Sequence, residues 1–596
     1  MKIINNFSIT IATVNGSGSQ TANVTLLRAL FKMGIPVSGK NVFPSNIQGL
    51  PTWYTIRVSK DGYLARCDES EIVVAMNPAS FARDLASVPA GGAFFYADDI
   101  KLANERKDIS SYPIPAKALA RLSDISPNLR DYIANMVYVG VLAHMLGMDM
   151  GKLKEALDFH FKGKEGPINS NWSVIQAAAE WAAQNLKKSD PFFVQPMDKT
   201  NGLIMSDGNT AGALGAIYGG VQFAAWYPIT PASSLAESLN IYLPQLRKTP
   251  EGKNTYAVLQ AEDEIAAIGM AVGAGWAGLR AMTSTSGPGI SLMAEYAGLA
   301  YATEIPIVVW DVSRIGPGTG LPTRTAQGDL TELYSLSHGD KQHVLLLPSS
   351  VQECFEFGWK AFDLAERLQT PVFVLSDLDL GMNQWITQPF EYPDAPMDRG
   401  KVLQEADLEK LNGAWARYKD VDEDGIPYRT IPGNRHPAAA YFTRGSGHDE
   451  NAKYSEDADN WEANMLRLKK KYETARTLVP KPVVEKTRGA TIGIIAYGSS
   501  TPAVEEARDL LIQADGPKTA FLRLRALPCT KEVLEFVEKY ERIYIVEANR
   551  DGQLRQILAA LMPEQAGKLR SIAHSDGLPL TARWVKDGIF SQEEKE

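Results

Sequence analysis

Short apolar runs alternate with amphipathic stretches along most of the chain. Phe7–Val14 is β-rich and leads into the small-residue run Asn15-Gly16-Ser17-Gly18-Ser19-Gln20, after which a helical period extends from Thr21 to Met33. Further apolar runs at Tyr54–Ser59, Glu71–Met76 and Ala93–Tyr96 precede a longer helical region containing Leu129–Leu146. The pattern breaks at Lys187-Lys188-Ser189-Asp190-Pro191, which ends a first domain near residue 195. A second series opens at Ser206-Asp207-Gly208-Asn209 with a small-residue helix predicted over Thr210–Phe223. Strands are then predicted at Tyr256–Gln260, Arg280–Thr285, Ile305–Val312, His343–Leu347 and Val372–Leu375, with helices over Ile265–Trp276, Ile290–Ala302 and Val351–Arg367. Such alternation implies a parallel sheet covered on both faces.

Between residues 386 and 487 the alternation fails and Pro, Asp, Gly and Lys accumulate, with one charged amphipathic helix predicted over Trp461–Ala475. An irregular stretch of that length is usually functional or an interface. The βα order resumes with Thr491–Tyr497, Ala503–Ala514, Thr519–Leu524 and Arg542–Val546. The expected fold class is therefore α/β and multidomain, built from doubly wound parallel-sheet units. Its segments are 1–195, 196–385, an irregular linker and interface over 386–487, and 488–596.

Composition narrows the function. A chain of 596 residues, 45% hydrophobic and 22% charged, can bury several cores. Its net charge of −9 argues against nucleic-acid binding, which needs a basic face. The three cysteines, Cys67, Cys354 and Cys529, form no CxxC pair. That count falls short of the roughly four thiolates an iron–sulfur cluster requires, and it excludes a disulfide framework. No apolar run approaches the ~20 residues of a membrane span, and the start lacks the apolar run of a signal peptide, so a cytoplasmic location is expected.

The candidate chemistry lies at strand ends, where open α/β sheets bind ligands. The acids Glu262, Asp263 and Glu264 open a helix whose Ile265, Ile268 and Val272 are expected to be buried. Three acids exceed what a helix start requires, and a half-buried carboxylate there can exchange a proton with a heterocyclic nitrogen; helix capping is the alternative. Thr230-Pro231-Ala232-Ser233 reads as an N-cap Thr with Pro at N1. Thr283-Ser284-Thr285-Ser286 followed by Gly287-Pro288-Gly289 presents small hydroxyls and unhindered amides to a crevice. Arg314, at a strand end before Gly316–Arg324, suits bidentate capture of a carboxylate, with plain surface charge as the alternative. In the first domain, Gly16, Gly18 and Ser19 have the strand, glycine loop, helix order of a phosphate cradle, for which a tight turn without ligand is the alternative.

Taken together, Tyr227–Pro231, Glu264, Thr283–Gly289, Arg314, Gly316–Thr323 and Gln327-Gly328-Asp329-Leu330 resemble the α subunit of 2-oxoacid:ferredoxin oxidoreductases. His436-Pro437 and Phe442–Glu450 are similar to the 2-oxoglutarate-type members, and the N-terminal unit resembles the family's γ subunit fused ahead of α. The resemblance spans nearly the whole chain. It implies a γ-like domain, a thiamine diphosphate pyrimidine-binding domain and a transketolase C-terminal-like domain.

The resemblance further implies that α supplies the pyrimidine half of a thiamine diphosphate site. A separate β subunit would bring the diphosphate and Mg²⁺ site and at least one [4Fe–4S] cluster. Glu264 would bond the aminopyrimidine nitrogen and promote the tautomer that deprotonates the thiazolium carbon. Ile229, Ser286 and Gly287 would also line the cofactor, while Thr230 and Arg314 would orient the substrate. CoA contacts are implied for Gly16, Gly18, Ser19, Ser45 and Asn46, although Ser17 and Ser19 stand where the family's γ loop commonly has glycine. Ser206-Asp207-Gly208-Asn209 imitates the diphosphate motif of self-sufficient thiamine enzymes but lacks a second Asn, so no metal site is expected in this chain.

The implied reaction is reversible, CoA-dependent oxidative decarboxylation of 2-oxoglutarate to succinyl-CoA and CO₂ with electrons passed to ferredoxin, in an (αβ)₂ assembly. Pyruvate or another 2-oxoacid is the alternative substrate. The alternative functions are a ferredoxin-independent thiamine dehydrogenase or transketolase component and an inactive binding subunit.

Overall fold

The computed structural model describes residues 2–44, 48–100, 106–121, 130 and 132–594. Two compact units are present. The first comprises 1–206 with 383–389 and 580–584, and the second 207–382 with 390–579 and 585–596.

The first unit is built on a six-stranded sheet in the order Val37–Val42, Pro51–Ser59, Asn6–Val14, Ile72–Ala75, Ala93–Ala97, Ser110–Ile114. Its last four strands are parallel, whereas Pro51–Ser59 runs antiparallel to both neighbours. Helices Ser19–Lys32, Met136–Leu146 and Glu165–Asn185 bury Leu26, Leu27, Leu30, Val137, Val141, Leu142, Val174 and Ile175 in one core with Ile9, Ile11, Ile56 and Val74 of the sheet.

The second unit contains an eight-stranded sheet. Its main path runs Ala257–Gln260, Phe223–Trp226, Ala281–Thr285, Ile307–Ile315, Pro371–Asp377, Val344–Leu346, Ala526–Leu527, with Leu321–Thr325 pairing beside Ile307–Ile315. The first six strands of that path are parallel; Ala281–Thr285, Ile307–Ile315, Pro371–Asp377 and Val344–Leu346 are buried almost throughout, as strands covered on both faces are, whereas the edge strand Ala257–Gln260 is largely exposed. Ala526–Leu527, from the C-terminal part of the chain, completes the sheet antiparallel to Val344–Leu346. A five-stranded sheet follows, ordered Val483–Glu485, Thr519–Arg523, Ile492–Ala496, Arg542–Glu547, Leu569–Ala573. Its core is continuous with that of the larger sheet through Leu345, Phe373, Ile495, Leu522 and Leu527.

Two departures from the sequence reading bear on the site. The helix predicted to reach Phe223 ends at Tyr218, because Gly219 and Gly220 turn the chain, and Phe223–Trp226 becomes the second strand of the large sheet. The helix expected to start at Pro231 starts at Ser233, with Ala232 at the cap. Ser233 Oγ accepts from Ile229 N at 2.9 Å and donates to Ile229 O, so Ser233 closes the turn and Thr230 is left free of capping.

The predicted amphipathic helix of the irregular segment extends over Ala458–Leu478. It is anchored through Glu304, whose side chain is fully buried and stands just past the helix Gly287–Thr303 in the left-handed region at φ 57. Arg467 donates to both Glu304 oxygens at 2.5 and 3.0 Å, and Lys471 Nζ donates at 2.7 Å. Two cations hold the Glu304 carboxyl well below the usual range against the opposing effect of burial. Burial outweighs the same carboxylate at Lys471 and draws its ammonium down to about 8, whereas Arg467 is raised. Arg467 thus engages both oxygens of the carboxylate, whereas Lys471 meets one.

Candidate active site

Four neighbouring strands of the large sheet deliver their carboxyl ends to one place. Phe223–Trp226 leads into Tyr227–Pro231, Ala257–Gln260 into the helix Glu264–Trp276, and Ala281–Thr285 into the helix Gly287–Thr303, while Ile307–Ile315 carries Arg314.

The buried stripe of the helix Glu264–Trp276 is Glu264, Ala267, Ile268, Ala271, Val272 and Gly275. That is the i, i+3, i+4 spacing of a core-facing stripe, so Glu264 occupies a position where an apolar residue belongs. Ile265 lies off the stripe and is 41% exposed, contrary to its expected burial. The capping task belongs to Asp263, whose Oδ1 accepts from Ala266 N at 2.6 Å. Glu264 is 6% exposed, and its carboxylate makes no hydrogen bond among the described residues. Its oxygens keep contact with the crevice, where a ligand can supply the partner that the protein does not.

Arg314 is 7% exposed. Its Nη1 donates to Thr230 O at 2.7 Å and its Nη2 to Thr319 O at 3.4 Å, while Nε is buried without a partner. Burial lowers the guanidinium from its usual value, against the pull of the Asp329 and Glu264 carboxylates. Thr230, Glu264 and Arg314 thus share one neighbourhood. Asn209 braces the same loop by donating to Pro231 O and Ser234 Oγ.

Ser286 caps the helix Gly287–Thr303 from an extended backbone, yet its side chain makes no cap bond, and its Oγ and that of Thr283 are buried without partners. A Cβ at Gly289 would overlap Thr285 Oγ1 and come within 2.8 Å of Glu264 Cγ, so the turn fits against Glu264 only as glycine. A Cβ at Gly287 would meet the two oxygens of Asp329 at 2.8 and 3.0 Å. Ile229 is half-buried at the opposite lip, its amide held by Ser233.

The sequence reading gave Gln327-Gly328-Asp329 no role, and it overlooked Asp311 and Ser313. Gln327 Oε1 accepts from Ala548 N and Ser500 Oγ, while its Nε2 donates to Tyr497 O. Gln553 Nε2 donates to Gly328 O at 2.6 Å. These bonds bolt the segment to the C-terminal sheet. On the other side, Ser313 Oγ donates to Asp329 Oδ2 at 2.6 Å. No local pattern announces this arrangement, since its partners lie far apart in sequence.

Asp207 is a helix cap, its Oδ1 accepting from Thr210 N and its Oδ2 from Thr210 Oγ1. Among the described residues no group of three His, Cys, Asp or Glu side chains is placed to hold a metal ion, and no helix is long and apolar enough to cross a membrane. In the first unit, Gly16 and Gly18 have φ of 86 and 80, and Gly18 caps the helix Ser19–Lys32. Ser19 Oγ accepts from Thr13 Oγ1 at 2.8 Å. Ser45 and Asn46 lie outside the described residues.

The family model described as "Pyruvate flavodoxin/ferredoxin oxidoreductase, thiamine diP-bdg" matches residues 214–410, and "Pyruvate ferredoxin/flavodoxin oxidoreductase" matches residues 8–181. The 2-oxoacid:ferredoxin oxidoreductase 1 α subunit of Sulfurisphaera tokodaii is 30% identical over 594 residues, covering 90% of each chain. The 2-oxoglutarate synthase subunit KorA of Methanothermobacter thermautotrophicus is 36% identical over 349 residues, 57% of this chain and 86% of that one. A solved 2-oxoglutarate:ferredoxin oxidoreductase from Magnetococcus marinus, with 2-oxoglutarate, coenzyme A and succinyl-CoA bound, superposes with a TM-score of 0.87 at 29% identity over 99% of each chain.

Fold and matches define an α/β oxidoreductase subunit with a thiamine diphosphate-binding domain. The chain belongs to the 2-oxoacid:ferredoxin oxidoreductases, as an α subunit with the γ-type domain fused ahead of it, and is one part of a multi-subunit enzyme.

Proposed function

We propose that this subunit serves the CoA-dependent oxidative decarboxylation of 2-oxoglutarate to succinyl-CoA, with ferredoxin as electron acceptor. The observation that carries the reading of the site is Glu264, an unpartnered carboxylate on a stripe otherwise made of apolar and small residues. The residues present fit thiamine diphosphate. Glu264 offers a partner to a ring nitrogen, Ser286 Oγ and Thr283 Oγ1 are buried and unused, and Gly287 and Gly289 leave room beside them. Ile229 stands at the lip.

When bound, thiamine diphosphate supplies the nucleophilic carbon for the keto group and an electron sink for the bond to CO₂. Glu264 holds and returns a proton at the pyrimidine nitrogen. Arg314 orients the substrate carboxylate through its fork, and Thr230 presents a hydroxyl to the keto oxygen. The choice of 2-oxoglutarate draws on the KorA relatives and the solved neighbour, whose names carry that substrate.

Diphosphate, Mg²⁺ and [4Fe–4S] ligands are assigned to a β subunit, with an (αβ)₂ assembly in the cytoplasm. None of the three cysteines is in a disulfide, and burial pushes the Cys529 thiol up to about 12. An exposed apolar face supports the partner. Leu259, Ile265, Met270, Leu292, Tyr296 and Leu299, on the edge strand and the two helices that present the site, are 36–50% exposed. CoA contacts are assigned to Gly16, Gly18, Ser19, Ser45 and Asn46. The domain boundaries proposed are 1–195, 196–385, 386–487 and 488–596.

The deciding experiment is co-purification followed by assay. The chain is expected to bring down a cysteine-rich, brown partner, and the complex to reduce ferredoxin only with 2-oxoglutarate and CoA together. Equal rates with pyruvate would replace the substrate, and activity of the isolated chain would remove the shared site. Arg314→Ala is expected to lower kcat/KM for the 2-oxoacid by about 10²-fold while thiamine diphosphate affinity changes little. Unchanged steady-state kinetics would return Arg314 to a structural role.

A further inference from the structure

Asn209, the last residue of the Ser206-Asp207-Gly208-Asn209 run, has no part in the mechanism above, yet it is completely buried behind the turn that carries Thr230. It stands in the first turn of the helix Gly208–Tyr218. Its Nδ2 donates to Pro231 O at 2.9 Å and to Ser234 Oγ at 2.8 Å, so both amide hydrogens are used, and two acceptors on one side identify that atom as the nitrogen. Its Oδ1 has no donor among the described residues and lies against Gly381, where an added Cβ would come within 2.7 Å of it.

The bond to Pro231 is the one that reaches the site. Between the strand Phe223–Trp226 and the helix Ser233–Leu246, three successive carbonyls each have their own donor. Ile229 O accepts from Ser233 N at 3.0 Å, Thr230 O from Arg314 Nη1 at 2.7 Å, and Pro231 O from Asn209 Nδ2. Ser233 belongs to the helix that the turn leads into, so it sets the local bend but not where the bend stands. That placement falls to Arg314 and Asn209, which come from other elements. The two share one platform. Gly212, one turn along from Asn209, is pressed against the ring of Trp310, where a Cβ would come within 2.6 Å, and Trp310 precedes Arg314 by four residues on the strand Ile307–Ile315. Loss of the Asn209 bond leaves the Pro231 carbonyl without its donor and frees the turn to move relative to that strand.

We propose that Asn209 is a positioning residue for the 2-oxoacid: it fixes the Pro231 carbonyl, and through it both the Thr230 hydroxyl and the Thr230 carbonyl on which the Arg314 fork rests. This rests on the reading of Thr230 and Arg314 as the groups that orient the substrate. Arg314 commits Nη1 to Thr230 O, so the direction of the remaining guanidinium follows from where that carbonyl stands. A displacement of about 1 Å imposed from outside a site can cost about 10²-fold in rate, which makes a brace behind the turn kinetically visible.

The test uses the complex of the full chain with its partner. Asn209→Ala is expected to lower kcat/KM for 2-oxoglutarate roughly tenfold, while KM for CoA and thiamine diphosphate affinity change less than about twofold. Its thermal midpoint should fall through truncation of a buried side chain alone, so that shift decides nothing. The decisive readout is a double-mutant cycle: in the Arg314→Ala background, Asn209→Ala should lose most of its effect on kcat/KM, because the fork it positions is gone. Gly381→Ala pushes on Asn209 Oδ1 without touching the turn, and should lower kcat/KM in the parent but not in the Asn209→Ala background, where the obstructed atom is absent. Ser234→Ala, which removes the other acceptor of the amide and leaves the Pro231 bond in place, should keep the parent's kcat/KM. Independently of turnover, hydrogen exchange of the isolated full chain should be faster over residues 227–233 in Asn209→Ala than in the parent.

Additivity of Asn209→Ala with Arg314→Ala, kcat/KM unchanged in Asn209→Ala, or exchange over residues 227–233 equal to the parent's would overturn the proposal. Should Asn209→Ala fail to fold, Gly381→Ala decides by the same kinetic and exchange measurements. Unchanged kinetics in both Arg314→Ala and Thr230→Val would instead sink the reading of the site, and the exchange result would still judge the brace.

Discussion

Glu264→Gln is expected to lower turnover by roughly 10²–10⁴-fold, the range that removal of a general acid–base group produces, while the fold stays intact. The amide has the shape of the acid, so the stripe of Ala267, Ile268, Ala271 and Val272 keeps its packing. Helix capping is unaffected, because Asp263 performs it. The acid makes no hydrogen bond among the described residues that the amide would break, so the thermal midpoint should be unchanged or slightly higher. What the amide cannot do is accept and return a proton at a ring nitrogen. Measuring turnover, thermal midpoint and thiamine diphosphate affinity on one preparation of the complex separates these effects. Turnover equal to the parent's would end the role assigned to Glu264.

The second large effect concerns stability. Glu304→Ala should destabilise the second unit by about 3–5 kcal/mol, because it strands the buried Arg467 and Lys471 without their carboxylate. The left-handed backbone at φ 57 adds to the loss, since alanine there gains none of the contacts that hold Glu304 in place. Urea unfolding of parent and variant measures the difference, and a change below about 1 kcal/mol would show the triad to be dispensable.

The pH dependence has a fixed sign. A carboxyl held below its unfolded value of about 4.3 contributes fully above that pH and loses its contribution as pH falls through the folded value. Parent stability should therefore decline on acidification more steeply than that of Glu304→Ala.

The alternation of strand and helix in the second unit was legible because its central strands are buried on both faces and read as apolar runs. Ala281–Thr285, Ile307–Ile315 and Pro371–Asp377 stand within two residues of the predicted strand starts. Phe223–Trp226 was hidden because four residues with two alanines carry little β signal and follow directly on a helix and two glycines. The cap was misplaced to Thr230 because Thr-Pro satisfies the local rule, whereas Ser233 wins by bonding both backbone groups of Ile229.

Glu264 could be singled out from the excess of acids, but only the fold divides the labour among Glu262, Asp263 and Glu264. The bond between Ser313 and Asp329 was hidden for a plainer reason: its partners are 16 residues apart, one on a strand and the other ahead of a helix.

The short strand Ala526–Leu527 has a practical outcome for anyone dissecting this enzyme. Truncating the chain before that strand would bare the backbone of Val344–Leu346 as an open, apolar margin, ready to recruit a strand from another molecule. A shortened thiamine-domain fragment should consequently self-associate and precipitate, whereas the same fragment co-expressed with residues 480–579 should remain dispersed.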